Sequence, residues 1–304
     1  MKEQFKEINF NASSREMIAV CNDIINRYLK QNLRLTLRQL YYQLVTINYI
    51  KNQEKSYKNL GRVLSDARLA GEIDWDAIED RVRVPHLPNE FNGLNHLIET
   101  AVNAYRLPRW KKQDHYIELW VEKDAISGVL EPMAKQYHIT LMVNRGYSSQ
   151  SAMYAAAYRF SGAWLKGHRS EQLLYLGDMD PSGEDMVHDI RNRLEMFHCG
   201  NVEVEKIALT MEQVEQYNPP PNPAKTTDSR YESYANEHGT QSWEVDALPP
   251  DVLQSLVREN VEMYLDVDKM QAVIKQEKAD KEKLLGFVES IGQSDDDVEP
   301  GKTP

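Results

Sequence analysis

Between residues 116 and 209, short apolar runs alternate with helical segments, and that alternation restricts the fold more than any other feature of the chain. The runs are YIELWV (116–121), ITLMVN (139–144), QLLYLG (172–177) and VEVEKIAL (202–209). Helical patterns fill the gaps, at about 124–137, in SSQSAMYAAAYRFSGAWL, and through about Met196. Strands joined by helical crossovers of this length lie parallel, with helices on the sheet faces. The fold class is therefore α/β and multi-domain, with the parallel sheet and its flanking helices in residues 113–210.

The N-terminal part, residues 1–112, reads as helical. Met17, Ile18, Val20, Cys21, Ile24, Ile25, Tyr28 and Leu29 recur at helical spacing behind Ser13 or Ser14 as a cap. Thr36 opens a second helix through about Thr46, and Ser56 opens a third, SYKNLGRVLSDARLAG, which Gly71 stops. EIDWDAIEDRVRV follows as a candidate wing. Three helices and a wing predict a winged-helix module. Its third helix would offer Lys58, Arg62 and Arg68 to double-stranded DNA phosphates. A small helical bundle with a solvated basic face fits the same pattern.

Charge is distributed unevenly. The net charge is -11, yet residues 1–112 carry 18 Lys+Arg and 13 Asp+Glu, a balance of +5, which leaves -16 for the remainder. A basic first part is compatible with DNA binding, and equally with ordinary charge fluctuation. Two cysteines supply neither a disulfide framework nor a cysteine-rich metal site. No apolar run approaches the ~20 residues of a membrane span, and the N-terminus lacks a signal core. The expected setting is cytoplasmic and nucleoid-associated, with no membrane partner.

After residue 210 the chain is rich in Pro, Asn, Thr and Asp and reads as mostly loop to about 250; helices then resume to about 290. The loop holds Lys225, Arg230, Trp243, Glu244 and Asp246, as a lid, a DNA contact or a packed connection. The helical stretch is either a dimer contact or a solvated amphipathic helix. Residues 211–292 form this C-terminal region, and 293–304 an acidic tail of disordered composition.

Functional groups in parallel sheets collect beyond the carboxyl ends of the strands. Here the first strand delivers Glu122, and the third delivers Asp178 and Asp180 ahead of a Pro-Ser-Gly turn. Three converging carboxylates need a cation between them, and a hard, oxygen-binding ion such as Mg²⁺ suits them. The plainer reading makes the two aspartates turn and cap residues, and Glu122-Lys123 an exposed pair.

In TLRQLYYQL (36–44) the apolar stripe is Leu37, Leu40, Tyr41, Leu44 and Val45, the spacing of a buried face. Tyr41 lies on it and is expected in the core; Tyr42 lies off it and is expected exposed. Arg38 stands four residues before Tyr42, on the same face. A guanidinium there can bind a phosphate and favour the phenolate; an ordinary surface tyrosine is the alternative.

These motifs together resemble a known family. Glu122 with Asp178 and Asp180 looks like a Toprim domain, the metal-binding unit of topoisomerases, primases and some nucleases. VEKD, NRGYSS and GDMDPSGEDM most resemble the type IIB topoisomerase (topoisomerase VI) A subunit and its relative that makes meiotic double-strand breaks. Arg38-Gln39-Leu40-Tyr41-Tyr42 is similar to that family's Arg-x-x-Tyr-Tyr, which carries the nucleophilic tyrosine on a winged helix ahead of the Toprim. The resemblance covers about residues 30–200 and is greatest to the compact, stand-alone mini-A relatives of mobile elements. GYSS stands where the family has Gly-x-Pro-Asp, and Ala152-Met153 where it has Thr-Arg.

The resemblance implies Mg²⁺-dependent double-strand DNA cleavage by a homodimer. Tyr42 would attack a phosphodiester and stay linked to the 5′ end, beside the Toprim of the other subunit. No Gly-rich ATPase motif is present, so ATP-driven strand passage would require a separate ATPase subunit. Two other classes fit part of the pattern: a Toprim hydrolytic nuclease in which water attacks, and a non-catalytic winged-helix DNA-binding protein.

Overall fold

The structure, a computed structural model, describes residues 2–78, 88, 90–165 and 167–295. Three helices begin the chain. Helix α1 (Ala12–Leu29) starts at Asn11, whose side chain accepts the Ser14 N–H, rather than at a serine. Helix α2 (Leu37–Thr46) starts where expected, because Thr36 and Gln39 satisfy each other's backbone N–H in a capping box. Helix α3 (Glu54–Leu69) begins at Glu54, ahead of Ser56, and ends before Gly71, whose φ of +74° favours glycine.

The three helices share one core around Ile25, Leu40, Leu44, Leu60 and Leu64. Leu40 is fully buried, so Leu40→Ala is expected to cost about 2–5 kcal/mol, read as a lower midpoint in urea unfolding. The expected wing is a 3₁₀ turn at Trp75–Ala77 followed by a bridge from Ile78 to Leu35. The rest of that segment, from residue 79, lies outside the described residues. Helix α4 (Leu94–Ala104) leads to the sheet.

The sheet elements are β1 (His115–Val121), α5 (Asp124–Tyr137), β2 (Thr140–Val143), α6 (Gln150–Trp164), β3 (Ser170–Leu176), α7 (Pro181–Met196) and β4 (Glu203–Ala208). All four strands are parallel, in the order β2-β1-β3-β4. Side chains alternate between the faces. Ile117, Leu119, Val121, Leu174 and Leu176 face the core shared with α5. Trp120, Leu173 and Tyr175 face the core shared with α6 and α7. The Glu118 carboxylate on β1 is fully buried and satisfied: it accepts from Arg159 twice (2.7 and 2.8 Å), Tyr116 and Trp120.

The region after β4 departs from expectation. Instead of mostly loop it holds α8 (Met211–Tyr217), a ribbon of β5 (Asn222–Pro223) and β6 (Gln241–Ser242), and α9 (Tyr231–His238). Thr210 and Gln213 form a capping box for α8, a local signal outweighed by the surrounding prolines. The later helical stretch is two helices, α10 (Pro250–Glu262) and α11 (Val267–Asp295), so the helix reaches into the expected tail; residues 296–304 lie outside the description. Helix α10 is not simply a solvated helix. Leu253, Val257 and Val261 are fully buried and join the core with α5.

One connection positions the site. Met179, just past β3, pairs with Trp243 through two backbone hydrogen bonds (2.8 and 2.9 Å), and the Tyr234 hydroxyl donates to the Met179 carbonyl at 3.0 Å. Trp243 itself is buried. The stretch Glu244–Ala247 is thereby drawn across the carboxyl end of the sheet.

Candidate active site

Four chain segments meet at that end. Residues after β1 and β3 supply Glu122, Lys123 and Asp178. Segment 244–247 supplies Glu244 and Asp246. Helix α2 packs on that segment from the other side and supplies Arg38 and Tyr42.

Lys123 stands at the centre. Its Nζ lies 2.6 Å from Asp178 Oδ2 and 3.4 Å from Asp246 Oδ1, and it also contacts Glu244 Oε2. Arg38 Nη2 donates to Glu244 Oε2 at 2.6 Å and to the Tyr42 hydroxyl at 3.3 Å. Arg38 Nε is 2.7 Å from Asp246 Oδ2, an ion pair by distance without hydrogen-bond alignment. Asp178 Oδ1 also accepts the Val245 N–H at 3.0 Å, which fixes the segment to the sheet.

Each of Asp178, Glu244 and Asp246 offers an oxygen within 4.8 Å of the other two, so this triad can hold a metal ion. The Lys123 ammonium lies among them and neutralises part of their charge. The ligand set differs from the one expected. Glu122 lies alongside, its Oε2 accepting the Asp178 N–H at 2.9 Å, and does not complete the triad. Asp180 caps α7, accepting the Gly183 N–H at 2.6 Å and the Ser182 hydroxyl at 2.9 Å, as the plainer alternative has it.

Gly183 allows the turn to close. A Cβ there would stand 2.2 Å from the Asp178 carbonyl oxygen, too close for any side chain. Gly183→Ala is expected to displace Asp178 and weaken divalent-cation binding by about tenfold or more, measured by calorimetry with Mg²⁺ or Mn²⁺. Near Glu122 the Tyr175 hydroxyl is buried without a hydrogen-bond partner.

Tyr42 is not exposed: it is 4% accessible, against 5% for Tyr41. The stripe reasoning placed Tyr41 correctly, in the core with its hydroxyl between Asn52 Oδ1 (2.9 Å) and the Gln53 N–H (2.8 Å). The other flank of α2 is covered by segment 244–247, whose Ala247 joins the same core. Burial and the Glu244 charge push the Tyr42 phenol up, against Arg38, so this arrangement keeps it protonated. Burial opposes the charges of Lys123 and Arg38, but the carboxylates around them prevail and both pKa values are raised. Asp178 is also raised, by burial and by Glu122, Glu244 and Asp246, with Lys123 opposing. Burial raises Glu244 too, but Lys123 and Arg38 outweigh it and its pKa is lowered.

The basic residues of α3 are separate from this cluster. Lys58 and Arg62 are exposed and pair with Glu54 and Asp66 one turn away. Arg68 is engaged internally, donating to the Trp75 carbonyl at 2.9 Å with its guanidinium 4.5 Å from the Trp75 ring. It is therefore a poor candidate for a phosphate contact.

Lys123 was not among the expected site residues, and Glu244 and Asp246 were expected only in a lid, a DNA contact or a packed connection, not beside the carboxylates. The one local signal was the acid-x-acid in WEVDAL, the same spacing as DMD after β3.

The fold and site define an α/β chain with an acidic cluster around Lys123 at the carboxyl edge of a parallel sheet, joined to an arginine and a buried tyrosine from a helical unit. Comparison with protein-family models, curated proteins and solved structures gave no match to this chain. Among the described residues, no helix is long and apolar enough to cross a membrane.

Proposed function

We propose that this chain is a DNA-cleaving transesterase of the topoisomerase VI A type, with a winged-helix-like first part and a Toprim-like sheet. The observation that carries the reading is one continuous network: Tyr42 hydroxyl, Arg38, Glu244 and Asp246, Lys123, Asp178. A candidate nucleophile, two cations and a metal-capable triad meet within a single chain.

In the proposed reaction the Tyr42 oxygen attacks a DNA phosphorus. A P–O bond to tyrosine forms, the P–O3′ bond breaks, and the phenolic proton passes to solvent while the 3′ oxygen leaves as a hydroxyl. The 5′ end stays on Tyr42, and the reverse attack restores the strand. Arg38 holds a non-bridging phosphate oxygen beside the phenol, and Lys123 holds the phosphate from the sheet side. Asp178 and Asp246, joined by Glu244 when it is not displaced, would hold Mg²⁺, which would supply charge neutralisation at the phosphate and the leaving oxygen. Two copies would cut both strands, each with Tyr42 beside its own chain's carboxylates. That arrangement differs from the crossed pairing the resemblance implied.

A hydrolytic nuclease is the second reading, favoured by the burial and raised pKa of Tyr42. Supercoiled DNA with Mg²⁺ separates the two. The transesterase gives breaks whose ends enter a gel freely only after protease treatment. Breaks that migrate identically with and without protease support the nuclease.

A further inference from the structure

We propose that Arg38 and Lys123 form the seat of a phosphate group, and that the Glu244 carboxylate lying between them is a resident stand-in that must swing out before the phosphate enters. Naming that phosphate as a DNA phosphodiester rests on the cleavage reading above.

The same oxygen, Glu244 Oε2, meets both Arg38 Nη2 and Lys123 Nζ. The guanidinium nitrogen that holds it also donates to the Tyr42 hydroxyl. An anion oxygen at that position is therefore one donor away from the attacking atom, where a non-bridging oxygen of a phosphate under attack has to lie. Carboxylate and phosphate present the same kind of acceptor to a guanidinium fork, so one can occupy the other's place.

The surroundings suit a movable gate. Glu244 keeps 26% of its side chain exposed, while Asp246 is at 0% and Asp178 at 9%. Arg38, 41% exposed, opens the seat to solvent. Asp178 holds the Val245 N–H, so a side-chain rotation at residue 244 leaves the segment's backbone in place. Asp246 stays against both cations from below and keeps them positioned when Glu244 leaves. Departure of Glu244 also removes a negative neighbour that keeps the phenol protonated.

The test uses the full chain in EDTA, so that cation binding plays no part. Inorganic phosphate is titrated by calorimetry, and a short labelled duplex by anisotropy over a range of salt. Glu244→Gln is expected to bind phosphate at least about tenfold tighter than the parent, because one competing negative charge is removed. It should also bind the duplex more tightly, with a salt slope steeper by about one phosphate contact. Adding Arg38→Ala should erase both gains, and Glu244→Ala should repeat them if the amide variant folds poorly. Equal phosphate affinity in the parent and a folded variant overturns the proposal, even if both bind DNA; the cleavage reading then stands alone. Tighter phosphate with no duplex binding by any of the proteins keeps the seat and overturns the DNA reading.

Discussion

Asp178→Asn is expected to abolish the proposed DNA cleavage and to lower divalent-cation affinity by about 10–100-fold without unfolding the protein. Asp178 is the point where the sheet, Lys123 and the backbone of Val245 meet, and it is one of three oxygen donors within ligand distance of one another. In metal-free protein its charge is opposed by burial and by Glu122, Glu244 and Asp246. Neutralising it removes that repulsion, while Lys123 keeps Glu244 and Asp246 as partners. The variant should therefore melt at or above the parent temperature in EDTA and lose the parent's stabilisation by Mg²⁺. Calorimetric scans with and without the ion check both halves. A variant that still cuts, or that is stabilised by Mg²⁺ as much as the parent, removes Asp178 from the centre.

Tyr42→Phe is expected to cut DNA at least about 10³-fold more slowly and to form no covalent adduct, while binding duplex DNA as the parent does. The substitution deletes one oxygen from a ring already packed in the helical core, and that oxygen's hydrogen bond among the described residues comes from Arg38. Stability should change little, which separates a chemical loss from a folding defect. Tyr41→Phe is the contrast. It gives up bonds to Asn52 and Gln53, so it should lose stability and keep its chemistry. Reversed behaviour of the two variants places the nucleophile on Tyr41.

Much of the fold was legible in the sequence for a definite reason. Strands β1 and β3 are buried on both faces along most of their length, so each reads as a largely apolar run, while β2 is half-buried and β4 sets exposed Glu203 and Glu205 around buried Val204; the expected bounds fall within a residue or two. Thr36 was legible because its cap is made with a residue three positions on. The site was legible only where it is local. Asp178 is where the end of β3 placed it. Tyr42 was expected at the surface because helical periodicity describes α2 alone, and what covers it arrives about 200 residues later with Ala247. Glu244 and Asp246 reach the sheet through the pairing of Met179 with Trp243, a long-range contact that no local pattern encodes. Asp180 shows the converse: the same acid-x-acid spacing that suggested a ligand also makes a helix cap.

The central claim is that Tyr42 becomes bonded to DNA. The most direct measurement is to trap the protein on a labelled duplex in Mg²⁺, denature it, digest both components and locate the residual nucleotide by mass spectrometry. The proposed mechanism predicts a 5′-linked nucleotide on the peptide containing Tyr42, absent when Tyr42 is Phe. Cleaved DNA with no modified peptide, or a nucleotide on any other residue, contradicts it.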